Sequence, residues 1–536
     1  MDLEKIRRRM LWVGVILLLL YAGLYIRLAL VQRDPKVQTA AGRQGTYTLR
    51  VGSTYGNIYD RNLEPLTNRD TEYLAAVIPT DQTAAALEGH VPEGYDLAEQ
   101  LRAGKPFVCP VDSDKISGED VLVFSVPVRY GESRLAQHLM GYALEGEGVC
   151  GLESAYQQLL RQDTGTNQVV YQVNGQGELL AGSPAQVTLT EPVKTGVVTT
   201  LDRDIQQLCE DAAQQMERGA VVVMDVHSGD ILAMVSRPDF DPAALGEALR
   251  SENSPFVNRA LNAYSVGSIF KLAIAASAIQ NGISPGYSYQ CTGMTQIYGQ
   301  MFRCHRHSGH GIQNMIEATA NSCNTYFISL VQQLSVKQML ETVSALGFGR
   351  ETILCSSLVS APGQVQTARQ LSVPAELANF SFGQGKLTAT PLQVCMMTCA
   401  IAGDGSLPVA RLVQGWTADG ETCTQLNRER RGLALPADTA RQVRLLMEAA
   451  VDGNPDSLAR PDNTRAAGKT STAQTGQYDA DGVECCHAWI TGYFPLKTPE
   501  YAVTVFVENG GSGNTAAAPI FRRIAEGITE NITKNG

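Results

Sequence analysis

The sequence predicts an α+β protein carried on a single N-terminal transmembrane helix, and three observations predict it. An uncharged, mostly apolar run, Leu11–Ile26, is followed by Arg27 and then Leu28–Val31. The composition changes near Thr195, which splits the rest of the chain into two parts. In the second part, β-rich runs at both ends enclose a long, mostly helical middle, the pattern of an antiparallel sheet packed with helices. At 536 residues the chain is too long for one ordinary domain. With 44% hydrophobic and 18% charged residues it can bury substantial cores. A formal charge of −11, with no basic stripe beyond the first ten residues, excludes nucleic acid as a partner.

Leu11–Val31 is long enough to cross a bilayer, with Arg27 able to snorkel to the far interface. Lys5, Arg7, Arg8 and Arg9 place the N-terminus in the cytoplasm. No small-x-small site follows closely, so an uncleaved anchor is expected rather than a signal peptide, with nearly everything after residue 32 outside the membrane. The expected division is a tail over 1–10, an anchor over 11–31, an irregular α+β pedestal over 32–195 and an α+β domain over 196–536.

After the anchor, Gln32–Val51 is polar and holds a linker-like Gly42-Arg43-Gln44-Gly45. Gly56 and Asn62 punctuate short β-like pieces. Ser154–Arg161 reads as a short helix, and Tyr171–Ala181 and Val187–Leu189 read as strands. Asp202–Arg218 has helical spacing, with Ile205, Leu208, Cys209 and Ala212 on one face. Ala220–Asp225 and Ile231–Ser236, joined by His227-Ser228-Gly229-Asp230, read as a hairpin. Helix is expected from Ser268 to about residue 450, and strands return at Thr464–Thr475, Ala488–Tyr493 and Tyr501–Glu508.

Three short pieces carry chemistry. Ser268 and Lys271 lie three apart at the start of an apolar helical run, so they face the same way. A serine hydroxyl becomes a competent nucleophile when a neighbouring base takes its proton, and an amine one turn away can be that base. Ser322-Cys323-Asn324 offers a hydroxyl and an amide suited to relaying a proton and holding a peptide, or, read alone, a helix cap or turn. Gly468-Lys469-Thr470-Ser471-Thr472 puts a lysine and hydroxyls on a strand, where alternation sets Thr470 and Thr472 on one face.

The twelve cysteines lack the even spacing of a disulfide scaffold. Cys395 and Cys399 read as core thiols on one helix face, while Cys291 and Cys304 bracket a loop and either pair or stay reduced. Cys304 to His310 is rich in histidine but matches no standard ligand spacing, so no metal and no cofactor is expected.

In this order, Ser268-x-x-Lys271, Ser322-x-Asn324 and Lys469-Thr470-Ser471 resemble the penicillin-binding transpeptidases and serine β-lactamases. Gly151-Leu152-Glu153, Gly229-Asp230-Ile231-Leu232-Ala233-Met234, Asn258-Arg259-Ala260, Gly383-Gln384-Gly385 and Thr390-Pro391-Leu392-Gln393 narrow the resemblance to class B penicillin-binding proteins over essentially the whole chain. Three positions depart from the pattern. Val266 stands where the family commonly has proline, Tyr55 where it often has arginine, and Ser471 where Lys-Thr-Gly has glycine.

The resemblance implies a D,D-transpeptidase that cross-links peptidoglycan stem peptides ending in D-Ala-D-Ala and that binds β-lactams. It implies Ser268 as nucleophile, Lys271 as its base, Ser322 as proton relay assisted by Lys469, and Asn324 as orienter of the donor's amides. Thr470 and Thr472, beside Ser471, would take the terminal carboxylate, and the N–H groups of Ser268 and Thr472 would form the oxyanion hole. It also implies a SEDS-type membrane glycan polymerase as partner, contacted through anchor and pedestal. The open alternatives are a D,D-carboxypeptidase, a β-lactam-hydrolysing or -sensing relative, and a non-catalytic scaffold.

Overall fold

The computed structural model describes residues 3–34, 45–116, 118, 120–144, 146–180, 182–429 and 432–535. The first two residues of the tail, and Gly42, Arg43 and Gln44 of the linker-like stretch, lie outside the described residues. The chain forms two compact units: one of 1–55, 70–128 and 164–193, the other of 56–69, 129–163 and 194–536.

The first unit begins with helix α1 (Leu3–Arg33), with no buried residue and long and apolar enough to cross a membrane. Two small antiparallel sheets follow. In one, β1 (Thr46–Thr54) pairs with β5 (Gly165–Gln172), which pairs with β6 (Gln186–Thr188). In the other, β2 (Asp70–Val77) lies between β3 (Phe107–Val111) and β4 (Val121–Val128). Strand alternation gives β2 two destinations: Ala76 packs with Val51, Phe124 and Val169, whereas Ala75 and Val77 pack with Leu87 and Phe107. β5 ends earlier than the expected Tyr171–Ala181 strand. The Asn174 carboxamide oxygen accepts the N–H groups of Gln176 (2.9 Å) and Glu178 (3.0 Å), a side-chain turn that breaks the strand.

The second unit is organised around an antiparallel sheet. Among the described residues it has five strands: β7 (Gly219–Asp225), β8 (Ile231–Arg237), β13 (Ala467–Tyr478), β14 (Glu484–Phe494) and β15 (Tyr501–Val507), in spatial order β8-β7-β15-β14-β13. Every second residue faces the same way, so Val221, Val223, Ile490, Val503 and Val505 meet one layer of helices. That layer is α2 (Arg203–Ala212), capped by the Asp202 carboxylate on the Ile205 N–H (3.2 Å), and the C-terminal helix α8 (Ala518–Asn535). The intervening residues, Val222, Met224, Trp489 and Phe506, face the larger core.

Its helices include α3 (Lys271–Gln280), α6 (Pro391–Ala402) and α7 (Ala437–Val451). Every residue of α6 is buried, Cys395 and Cys399 included, which suits a helix apolar on all sides.

The middle is less continuously helical than expected. Between α3 and helices α4 (Met315–Ala320) and α5 (Asn324–Val331) lie two ribbons: β9 (Tyr289–Cys291) with β12 (Gly311–Gln313), and β10 (Met294–Ile297) with β11 (Gln300–Arg303). Gly293, Gly299 and Gly309 have positive φ at their turns and interrupt any helix. The segments 56–69 and 129–163 belong to this unit although they precede residue 195: Asn57–Tyr59 pairs in parallel with Gly196–Val198. Glu153, nearly buried, meets Arg129 (2.7 Å) and the Tyr130 hydroxyl (2.8 Å), so its charge is paired as burial demands.

Candidate active site

Ser268 sits in a single 3₁₀ turn, Gly267–Phe270, that leads into α3. Three neighbours hold this turn. The Gly267 N–H donates to the Gly383 carbonyl (3.0 Å) and the Trp489 indole to the Ser265 carbonyl (3.0 Å). The Ser471 hydroxyl donates to the Val266 carbonyl (2.8 Å). The approach is close enough that a Cβ on Gly383, whose φ is +78°, would lie 1.9 Å from the Gly267 oxygen.

Lys271, fully buried one turn on, is the hub. Its Nζ is 3.0 Å from Ser268 Oγ, 2.7 Å from the Ser322 carbonyl, 3.2 Å from Ser322 Oγ and 2.8 Å from Asn324 Oδ1. A neutral amine has two hydrogens and one lone pair. The Ser322 carbonyl and Asn324 Oδ1 can only accept, so they take the hydrogens and leave the lone pair for the Ser268 proton. Burial, then the nearby charge of Lys469, hold Lys271 well below the ordinary lysine range. Ser322 adopts φ +50°, rare for a side-chain-bearing residue, between Thr319 and α5.

Lys469 lies on β13, an edge strand of the sheet, and is also buried. It donates to the Thr470 carbonyl (2.9 Å), and burial brings it down to about 8. Along β13 the burial alternates: Lys469, Ser471 and Ala473 point inward, while Thr470 is half-buried and Thr472 exposed. A cleft of about 1040 Å³ brings Ser268, Ser322, Asn324, Thr470 and Thr472 to one surface, with Ser471 at its lining. Lys271 and Lys469 lie beneath it.

Sequence reasoning missed the supports of the nucleophile, Gly383 and Trp489, whose role comes only from tertiary contact. The Cys304–His310 stretch, set aside as a metal site for want of a standard spacing, joins a cluster behind the Ser322 turn in which the ligand atoms of Cys291, Cys304, His310 and Cys323 all lie within 4.8 Å of one another. Cys291 and Cys304 remain free thiols, so the disulfide reading of that pair does not hold in this structure.

Residues 219–526 match the family model described as penicillin binding protein transpeptidase domain. The chain is 26% identical over 564 residues to stage V sporulation protein D of Bacillus subtilis, covering 97% of this chain and 85% of that one. It is 30% identical over 384 residues to the peptidoglycan D,D-transpeptidase PbpA of Mycolicibacterium smegmatis, covering 65% and 76%. Its fold is similar to a solved structure described as structural coordination of polymerization and crosslinking by a peptidoglycan synthase complex. That match has a TM-score of 0.67 at 24% identity, over 96% of this chain and 97% of that one.

Proposed function

The chain belongs to the penicillin-binding protein transpeptidase family and carries its peptidoglycan D,D-transpeptidase function, and from that premise we propose that it works through an acyl-enzyme on Ser268. One observation carries the proposal: a buried amine, Lys271, with two obligate acceptors on its hydrogens and the Ser268 hydroxyl 3.0 Å away.

In this reading Lys271 takes the Ser268 proton as Oγ attacks the carbonyl of the penultimate D-alanine of a donor stem peptide. The N–H groups of Ser268 and Thr472 stabilise the oxyanion, an arrangement in which one donor is typically worth about 3 kcal/mol. Ser322, 3.2 Å from the Lys271 amine, passes the proton to the departing D-alanine, aided by the charge of Lys469. Thr470 and Thr472 hold the donor's terminal carboxylate, and Asn324 orients its amides. An acceptor amine from a neighbouring stem then gives its proton back along the same path and resolves the ester into a cross-link. A β-lactam enters the same steps and stops at the ester.

Residues 11–31 serve as a single-pass anchor with the tail inside, 32–195 as the pedestal, of which 56–69 and 129–163 fold with the second unit, and 196–536 as the catalytic domain. A SEDS-type membrane polymerase is the partner this reading suits, since the chain carries the cross-linking chemistry and a chain of similar fold belongs to a structure described as a peptidoglycan synthase complex.

The test is covalent capture. Fluorescent penicillin is expected to label the wild-type chain, with the adduct mapped to the Ser268 peptide, and to leave Ser268→Ala unlabelled. Label on another residue, or label retained by the variant, overturns the assignment.

A further inference from the structure

From the cluster behind the Ser322 turn we propose a structural zinc site formed by Cys291, Cys304, His310 and Cys323, which fixes the loop carrying Ser322 and Asn324. Cys291 ends β9, Cys304 follows β11, His310 precedes β12, and Cys323 caps α5, so four separate pieces of chain converge on one point. His310 Nδ1 lies 3.6 Å from Cys291 Sγ and 3.5 Å from Cys304 Sγ, and the sulfurs of Cys304 and Cys323 are 3.9 Å apart. With zinc–sulfur bonds of about 2.3 Å and zinc–nitrogen bonds of about 2.0 Å, tetrahedral angles put sulfurs about 3.8 Å apart and sulfur about 3.5 Å from nitrogen. Three of the six edges match such a tetrahedron, and the other three are no longer than 4.8 Å. Three sulfurs and an imidazole are the donor set that selects zinc over hard oxygen-seeking cations, and four protein ligands leave no open position for catalysis.

The surroundings point the same way. Thr325 Oγ1 lies 3.4 Å from the Cys323 sulfur, the kind of outer contact that orients a metal thiolate. Gly293 and Gly309 let the two turns close on each other: a Cβ on Gly293 would lie 2.0 Å from the His307 oxygen, and one on Gly309 2.3 Å from the Cys291 oxygen. The ribbons have little apolar filling, with Met294, Tyr298, Met301 and Ile312 all exposed. Small folds of this kind are held by a metal or a disulfide in place of a core.

Cys323 stands between Ser322 and Asn324, both of which bind Lys271. A metal gripping Cys323 therefore holds the strained Ser322 backbone and, through it, the base. On binding, three thiols release their protons to solvent and His310 coordinates as neutral imidazole through the nitrogen facing the sulfurs.

The test uses the full-length chain in detergent, purified under reducing conditions without chelator. Elemental analysis is expected to find about one zinc per chain, falling at least tenfold in Cys291→Ser/His310→Ala and unchanged in Cys423→Ser. Because a misfolded variant would lose zinc trivially, the wild type is also exchanged with cobalt, which should give the intense visible bands and sulfur charge transfer of a tetrahedral thiolate site. A spectrum of six-coordinate cobalt, a wild type with under a tenth of a zinc, or a Cys304–Cys323 disulfide in the freshly purified chain overturns the site. Chelation is expected to slow fluorescent-penicillin acylation at least tenfold, with zinc restoring it; an unchanged rate overturns the positioning role. This last arm rests on the proposed role of Ser268, whereas the zinc and cobalt measurements do not.

Discussion

Lys271 and Lys469 are both buried amines, yet the structure gives them different surroundings and so different tasks. Lys271 has acceptors for two hydrogens and a hydroxyl for its lone pair, while Lys469 has one backbone carbonyl. Arginine stays protonated, so Lys271→Arg should cut the penicillin acylation rate by more than about a hundredfold, the lower bound for a general base, and Lys469→Arg by less than tenfold. The pH profile separates them further. Acylation should rise with pH as Lys271, held well below its ordinary range, loses its proton, then fall near pH 8 as Lys469 loses its charge. In Lys469→Arg the alkaline fall should move beyond the measurable range; equal losses in the two variants, or an unmoved alkaline limb, would contradict this division. Ser471 is a milder case. Its hydroxyl already has a partner in the Val266 carbonyl, and its side chain points away from the carboxylate face. Ser471→Gly should change acylation by less than tenfold, about 1.4 kcal/mol in the barrier. It should also lower stability by about 1 kcal/mol through the lost buried bond, readable by denaturant unfolding.

At the scale of elements, the nucleophile's turn is a junction of three distant pieces: the Gly383 loop, β13 and β14. Gly383→Ala would force a methyl to 1.9 Å from the Gly267 oxygen and also strain a left-handed backbone. Acylation should fall more than tenfold while circular dichroism keeps the wild-type helix content. Retained activity would show that the junction does not hold Ser268. The same contrast explains what was readable beforehand. Ser268 and Lys271 were legible because three residues is a property of a helix, and β7–β8 because a Gly-Asp turn sits between two β-branched runs. The contacts of Gly383 and Trp489 were not, since nothing local ties them to residue 267 or 265. Nor was the cysteine–histidine cluster: its geometry comes from two ribbons closing on each other, not from a repeat of spacings. Each strand of those ribbons has only three or four residues, too few to give a period that distinguishes it from the helical sequence around it.

For the whole molecule, the apolar helix α1 and the basic cluster at Lys5–Arg9 make orientation testable. Protease added to wall-free cells should digest the chain beyond residue 32 and spare only the tail and anchor; full protection with sealed membranes would reverse the topology. The parallel pairing of Asn57–Tyr59 with Gly196–Val198 has a consequence of a different kind. A ribosome emits residue 58 long before residue 197, roughly ten seconds at ordinary elongation rates. Ile58, fully buried in the finished fold, must wait through that interval without Val197 beside it. The catalytic unit thus cannot mature in the order it is synthesised. Until residues 196–198 arrive the nascent chain has to keep an apolar strand from wrong pairings, so early mispairing of that strand is a route by which yield is lost.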